Sequence, residues 1–207
     1  MGDTLGSRGA KKAGRVFHTR PAPQKEALLL IDFAALTAQA LAFGFTNAGP
    51  LRGETLEFLP QVRQMCAADR CGLYGRSWTC PPHCGSLEEC ARRAGGYRWG
   101  LLVQYSQPLA DPFDYETMEA AGQRHRALFA QFIPLLRRQW PGLLPLGSGG
   151  CSLCQACTCP KAPCSHPDLA SCSMEAYGLE VGRVCDANGL PYGAQGAITY
   201  TGCYLLE

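Results

Sequence analysis

The sequence predicts an α/β protein: a small central sheet flanked by helices, carrying two cysteine-rich loops that hold metal. Three observations lead there. The runs RWGLLVQY over 98–105 and AITYTGCYLL over 197–206 are short, apolar and rich in β-branched and aromatic residues, as strands buried in a sheet are. Over 115–133, by contrast, Met118, Ala121, Leu128, Phe129, Phe132 and Ile133 recur at helical steps, so one stripe of that helix faces a core. Between such elements, stretches rich in glycine and proline collect most of the thirteen cysteines.

In order along the chain, residues 1–25 carry Arg8, Lys11, Lys12, Arg15, Arg20 and Lys25 against Asp3 and little that is apolar; they read as a disordered basic tail. Residues 26–207 then form one domain. A helix is expected over 27–43, where Leu29, Phe33, Leu36, Ala40 and Phe43 share a face and Gly44 supplies a C-terminal stop. A short strand over 45–51 follows, ending at Pro50, and a turn and helix over 54–65 deliver Cys66. Ser86 and Glu89 have the S-x-x-E form of a capping box, which places Cys90 on about the first turn of a short helix. After the strand over 98–105 comes the helix over 115–133, which Pro134 kinks or ends. A further helix is expected over 173–188, with Ser173 capping it and Glu175 as a carboxylate at its start, and the strand over 197–206 closes the chain. His125 reads as an ordinary helix histidine, because no second histidine or carboxylate is spaced to join it.

The cysteines carry the chemistry. Five lie within the fourteen residues from Cys151 to Cys164, and Cys151, Cys154 and Cys157 have C-x2-C-x2-C spacing. That spacing wraps one tight loop around a compact inorganic core, with Cys164 as the nearest further thiolate. It matches cysteine-ligated [4Fe–4S] clusters better than structural zinc, which more often takes two C-x2-C knuckles set far apart. Disulfides fit poorly, since thirteen cysteines cannot all pair with one another and close neighbours strain the bond. The other group runs from Cys66 through Cys71, Cys80 and Cys84 to Cys90, in a loop stiffened by Pro81-Pro82 and turned by Gly72, Gly75 and Gly85. His83 and His166, each within two residues of a cysteine, are the candidates to replace a thiolate; Trp78 and Tyr74 read as packing.

The global composition excludes several partners. A net charge of +2 gives no basic surface for nucleic acid or an anionic membrane, and no apolar run is long enough for a membrane span. Dense cysteine without a secretory apolar segment fits a reducing cytoplasm and metal ligation. Common catalytic signatures are absent: G-x-G-x-x-G, a Walker A loop, G-x-S-x-G, H-E-x-x-H and a three-cysteine C-x3-C-x2-C run.

Taken in order, the segments VRQMC, CGLYGRSWTCPP, GSLEEC, CSLCQACTCPKAPCSHP, SMEAYGLEV and ITYTGC resemble the DUF2284 family of predicted metal-binding proteins, from about Gly44 to the C-terminus. The resemblance implies a cysteine-rich, iron–sulfur type of protein. It picks out Cys66, Cys71, Cys80 and Cys90 in the first group and Cys151, Cys154, Cys157 and Cys164 in the second as ligands. Cys84, Cys159 and Cys172 are departures from the family pattern, which leaves the fourth ligand of each group open, while Cys185 and Cys203 read as buried structural thiols. The expectation is two [4Fe–4S] clusters that transfer electrons to a redox partner protein or activate it reductively. The alternative is a metal-stabilised interaction module, with zinc or clusters serving the fold alone.

Overall fold

A computed structural model describes residues 31–207; the basic segment 1–25 and residues 27–30 of the first expected helix lie outside the described residues. Helix α1 (Phe33–Phe43) starts where the Asp32 carboxylate accepts the Ala35 N–H at 2.9 Å. It stops at Gly44, whose φ of 123° lets its N–H turn back onto the carbonyls of Ala40 and Leu41.

Five strands form one mixed sheet in the order β1-β2-β5-β3-β4, with β1 Asn47–Arg52, β2 Trp99–Pro108, β3 Leu144–Gly147, β4 Cys172–Ser173 and β5 Ala197–Leu206. The β2–β5 ladder is antiparallel and pairs both strands end to end, from Trp99↔Leu206 to Pro108↔Ala197. β1 lies at an edge, where Pro50 sits inside the strand opposite Leu101 instead of ending it; an edge strand can spare the missing N–H. β3 and β4 were not expected. Each is short, and LPLG becomes a strand through its pairing with β5 at Leu144↔Leu205 and Leu146↔Cys203. Among the described strands only β3 and β4 run parallel.

Both faces of the sheet are covered, which explains the unbroken apolar run in β2. On one face Tyr204 stacks on Phe129 with ring centroids 4.3 Å apart and donates its hydroxyl to the Phe129 carbonyl at 2.9 Å. Phe129 belongs to α4 (Tyr115–Arg137), and Gly202 lets it approach: a Cβ there would stand 2.6 Å from the ring. Phe132 of α4 fills the same layer against Phe43 and Phe45. The helix runs through Pro134 to Arg137 instead of ending there, its last turn held down by the buried Leu136. On the other face Leu51, Leu102, Cys203 and Leu205 pack with Met174, Tyr177, Leu179 and Val184.

That second layer corrects the helix expected over 173–188. Instead β4 leads into a 3-10 turn (Glu175–Tyr177), then into α5 (Val181–Ala187). Gly178 divides the two at φ 81°, left-handed, with Leu87 and the Leu59 carbonyl pressed so close that a Cβ would clash. The Ser173 hydroxyl does accept the Ala176 N–H at 3.1 Å, but it caps this short turn and not a long helix. α2 (Pro60–Ala67) and α3 (Leu87–Ala94) complete the fold, and α3 begins with the reciprocal Ser86–Glu89 capping box the sequence signals. Among the described residues no helix is long and apolar enough to cross a membrane.

Candidate metal centre

Both cysteine loops leave the ordered core at neighbouring points. Cys66 sits on the last turn of α2, and residues 68–86 return to α3. The second loop, 148–171, spans the gap between β3 and β4. The first loop is shaped by Asp69, which accepts the Tyr74 N–H at 2.9 Å and the Arg76 guanidinium at 2.6 Å; these bonds hold its carboxyl below the usual range. His83 is occupied, its Nε2 3.2 Å from the Gly75 carbonyl and its ring edge-on to Trp78.

The two loops pack on each other. Trp78 donates its indole N–H to the Ala162 carbonyl at 3.0 Å, and Leu73 lies where a Cβ on Gly150 would be, 2.0 Å away. At the seam is a cleft of about 190 Å³ lined by Cys151, Cys154, Cys157, Cys164 and His166, with the Arg76–Thr79 edge of the first loop opposite. All four thiols assigned to the second group thus face one space. Burial pushes Cys151 up, and its three neighbouring thiols add to that. Cys157 is exposed and goes the other way. Its desolvation is outweighed by the N–H groups of Cys159, Trp78 and Thr158 and the Ser77 hydroxyl, which draw the thiol below its ordinary value. Cys159 does not line the cleft.

The cleft of the first cysteine group, called the first cleft, has a volume of about 260 Å³ and is lined by Cys66, Cys71 and Cys80 together with Glu175, Gly149 and Gly150; that of Cys151–Cys164 is the second. Burial raises Cys66 and Cys80, and it raises the Glu175 carboxyl as well. Cys90 is not brought here. It lies behind, wholly buried, with its Sγ 3.7 Å from the Cys84 carbonyl. Hydrogen bonding to Cys172 pushes the Cys84 thiol up to about 11, while Cys84 and burial push Cys90 up. Two guanidiniums reach this inner group: Arg63 at 3.6 Å and Arg93 at 3.7 Å from the Cys90 sulfur, with Arg93 also over the Tyr177 ring. Sequence reasoning missed both arginines, although Arg93 stands one helical turn beyond Cys90. Among the described residues no three His, Cys, Asp or Glu side chains already stand at the mutual spacing that holds a metal ion. The thiols share clefts, and ligation would draw them inward.

Cys185 and Cys203 are wholly buried in the core cluster, far up in pKa in the case of Cys203, as structural thiols are.

The DUF2284 family of predicted metal-binding proteins matches residues 50–206, a span that contains both clefts. The chain belongs to that family. No curated protein and no solved structure matches it. The DUF2284 region thus holds every thiol described here, and the fold and its two clefts rest on this chain's own residues.

Proposed function

We propose that this DUF2284 protein binds two iron–sulfur clusters, one at each cleft, and passes electrons to a partner protein. One observation carries the reading: Cys151, Cys154, Cys157 and Cys164 converge on a single cleft of about 190 Å³. Such a space is many times the ~10–15 Å³ that admits one water, so it suits a multi-atom inorganic core better than a lone ion. Four thiolates around a cubane leave no iron position open for substrate, which favours electron transfer over Lewis-acid chemistry. The exposed Cys157 brings that centre to the surface, where a partner can approach.

For the first cleft the proposed ligands are Cys66, Cys71 and Cys80, with the Glu175 carboxylate on the fourth side. Arg63 and Arg93 lie behind it, bonded to the Cys84, Gly85 and Ala176 carbonyls, and Arg63 adds positive charge that favours the Cys66 thiolate, the kind of surroundings that tune a cluster's potential. Cys90, expected among these ligands from the sequence, lies on α3, wholly buried, and does not line this cleft. The three-thiol lining also supports a second reading, because three thiolates and a carboxylate suit tetrahedral zinc. In that case the first centre would serve the fold.

The test is iron, acid-labile sulfide and zinc per chain on protein purified without oxygen, with its visible spectrum. About eight iron and eight sulfide are expected, with absorbance near about 400 nm that bleaches reversibly with dithionite. About four of each plus one zinc would assign zinc to the first cleft. Zinc without sulfide would overturn the electron-carrier reading.

A further inference from the structure

Cys84, Cys90 and Cys172 line neither metal cleft. Cys84 and Cys90 belong instead to the core cluster under the sheet, and Cys172 packs against it. We propose that Cys172 and Cys84 form a reversible dithiol–disulfide couple, which exchanges with low-molecular-weight disulfides and is separate from both metal centres.

Cys84 is the middle of this group. Its thiol hydrogen-bonds Cys172 on one side and Cys90 on the other, and its Sγ stands 3.8 Å from the Ala176 carbonyl oxygen. Two thiols already in contact are the arrangement that a disulfide of about 2.05 Å closes with little backbone movement. Although far apart in sequence, the two residues occupy matching places: Cys84 ends the first cysteine loop just before α3, and Cys172 opens β4 where the second loop ends. Arg63 ties these places together, since its guanidinium bonds both the Gly85 and the Ala176 carbonyls. Arg93 bonds the Cys84 carbonyl from the other side, with the Tyr177 ring 5.3 Å beneath it.

Access decides the order of events. Cys84 and Cys90 are buried, while Cys172 is half-buried on β4, the two-residue strand at the edge of the sheet. The Cys172 thiolate therefore attacks the outside disulfide, forming a mixed disulfide and releasing one thiolate of the reagent. Cys84, having lost its proton, then attacks the Cys172 sulfur and expels the second thiolate. Two protein thiols become one disulfide and one outside disulfide becomes two thiols; two electrons pass from protein to reagent, and the two protons go to the released thiolates. The surroundings of Cys84 suit the second step. Its hydrogen bond to Cys172 is the largest influence pushing the thiol up to about 11, and that bond is lost once Cys172 is capped. Cys90 and the Arg63 charge then draw the thiol down against burial.

The test equilibrates the full, metal-loaded chain without oxygen in mixtures of reduced and oxidised glutathione, blocks free thiols with an alkylating reagent and maps the peptides by mass spectrometry. A Cys84–Cys172 disulfide is expected, rising with the oxidised fraction and reversed by excess reduced glutathione. Cys84→Ser should leave glutathione on Cys172, at about ten times the parent level or more, since no second thiolate displaces it. Cys172→Ser should leave Cys84 unlinked, with metal content unchanged. Cys84 free in every mixture, a link from Cys84 to Cys90 instead, or metal lost from both variants would overturn the proposal. Neither sulfur is a proposed metal ligand, so the mapped link and the metal content are read separately.

Discussion

Glu175 shows how differently the site residues were exposed to sequence reasoning. Ligation by C-x2-C-x2-C is local: three thiols two residues apart must face one small volume, whatever surrounds the loop. That Cys151, Cys154 and Cys157 would share one cleft was therefore legible, and Cys164 with them. Glu175 reads as a helix-start carboxylate because Ser173, two residues before it, reads as the cap of a helix. It lines the first cleft only because the 3-10 turn after β4 lies against α2 and the loop beyond Cys66. Cys90 is the converse case: the capping box of α3 was legible, and the register of that helix turns the thiol into the core, toward Cys84 and off the cleft lining. These placements can be separated by substitution. Glu175→Gln should lower the metal content of the first cleft, by about four iron per chain for a cubane, and leave the second intact. Cys90→Ser should keep full iron while losing stability, since it puts a hydroxyl into a wholly buried thiol site. If Cys90→Ser loses the iron and Glu175→Gln keeps it, the fourth position belongs to Cys90.

At the scale of elements, the long strands and α4 were readable because periodicity and length agree. The failures fall where a single residue's tertiary contact decides. β4 is only two residues long and exists through Leu146↔Cys172 and Gly147↔Ser173. Over 173–188 the apolar residues do recur at helical steps, but Gly178 breaks the run. Its left-handed φ of 81° turns the chain so that Tyr177 enters the core and Glu175 reaches the cleft. Gly178→Ala must hold a side chain in that conformation and place its Cβ 2.5 Å from Leu87 Cδ1 and 3.2 Å from the Leu59 carbonyl oxygen. The expected loss is roughly 1–3 kcal/mol in denaturant unfolding, with the first centre depleted before the second. A variant as stable as the parent would mean that the turn can continue as a helix, and that Glu175 is not fixed by it.

For the whole molecule the division is between a core that carries the fold and loops that carry the chemistry. The wholly buried large side chains lie in β1, β2, β3, β5, α4 and the stretch from Met174 to Leu179. The loops 68–86 and 148–171 are attached to that core at their ends and bonded to each other by few contacts, such as Trp78 to Ala162. Metal binding free energy becomes folding free energy only for the segments that the metal orders. Removing metal with a chelator under reducing conditions should therefore leave the far-ultraviolet circular dichroism nearly unchanged. In hydrogen exchange, amides of β2, β5 and α4 should stay protected while those of 68–86 and 148–171 open, because local openings follow local contacts. The opposite outcome, β2 and β5 losing protection together with the loops, would make the metal part of the fold. The metal-stabilised reading would then gain support, with electron transfer left to the test of reversible bleaching.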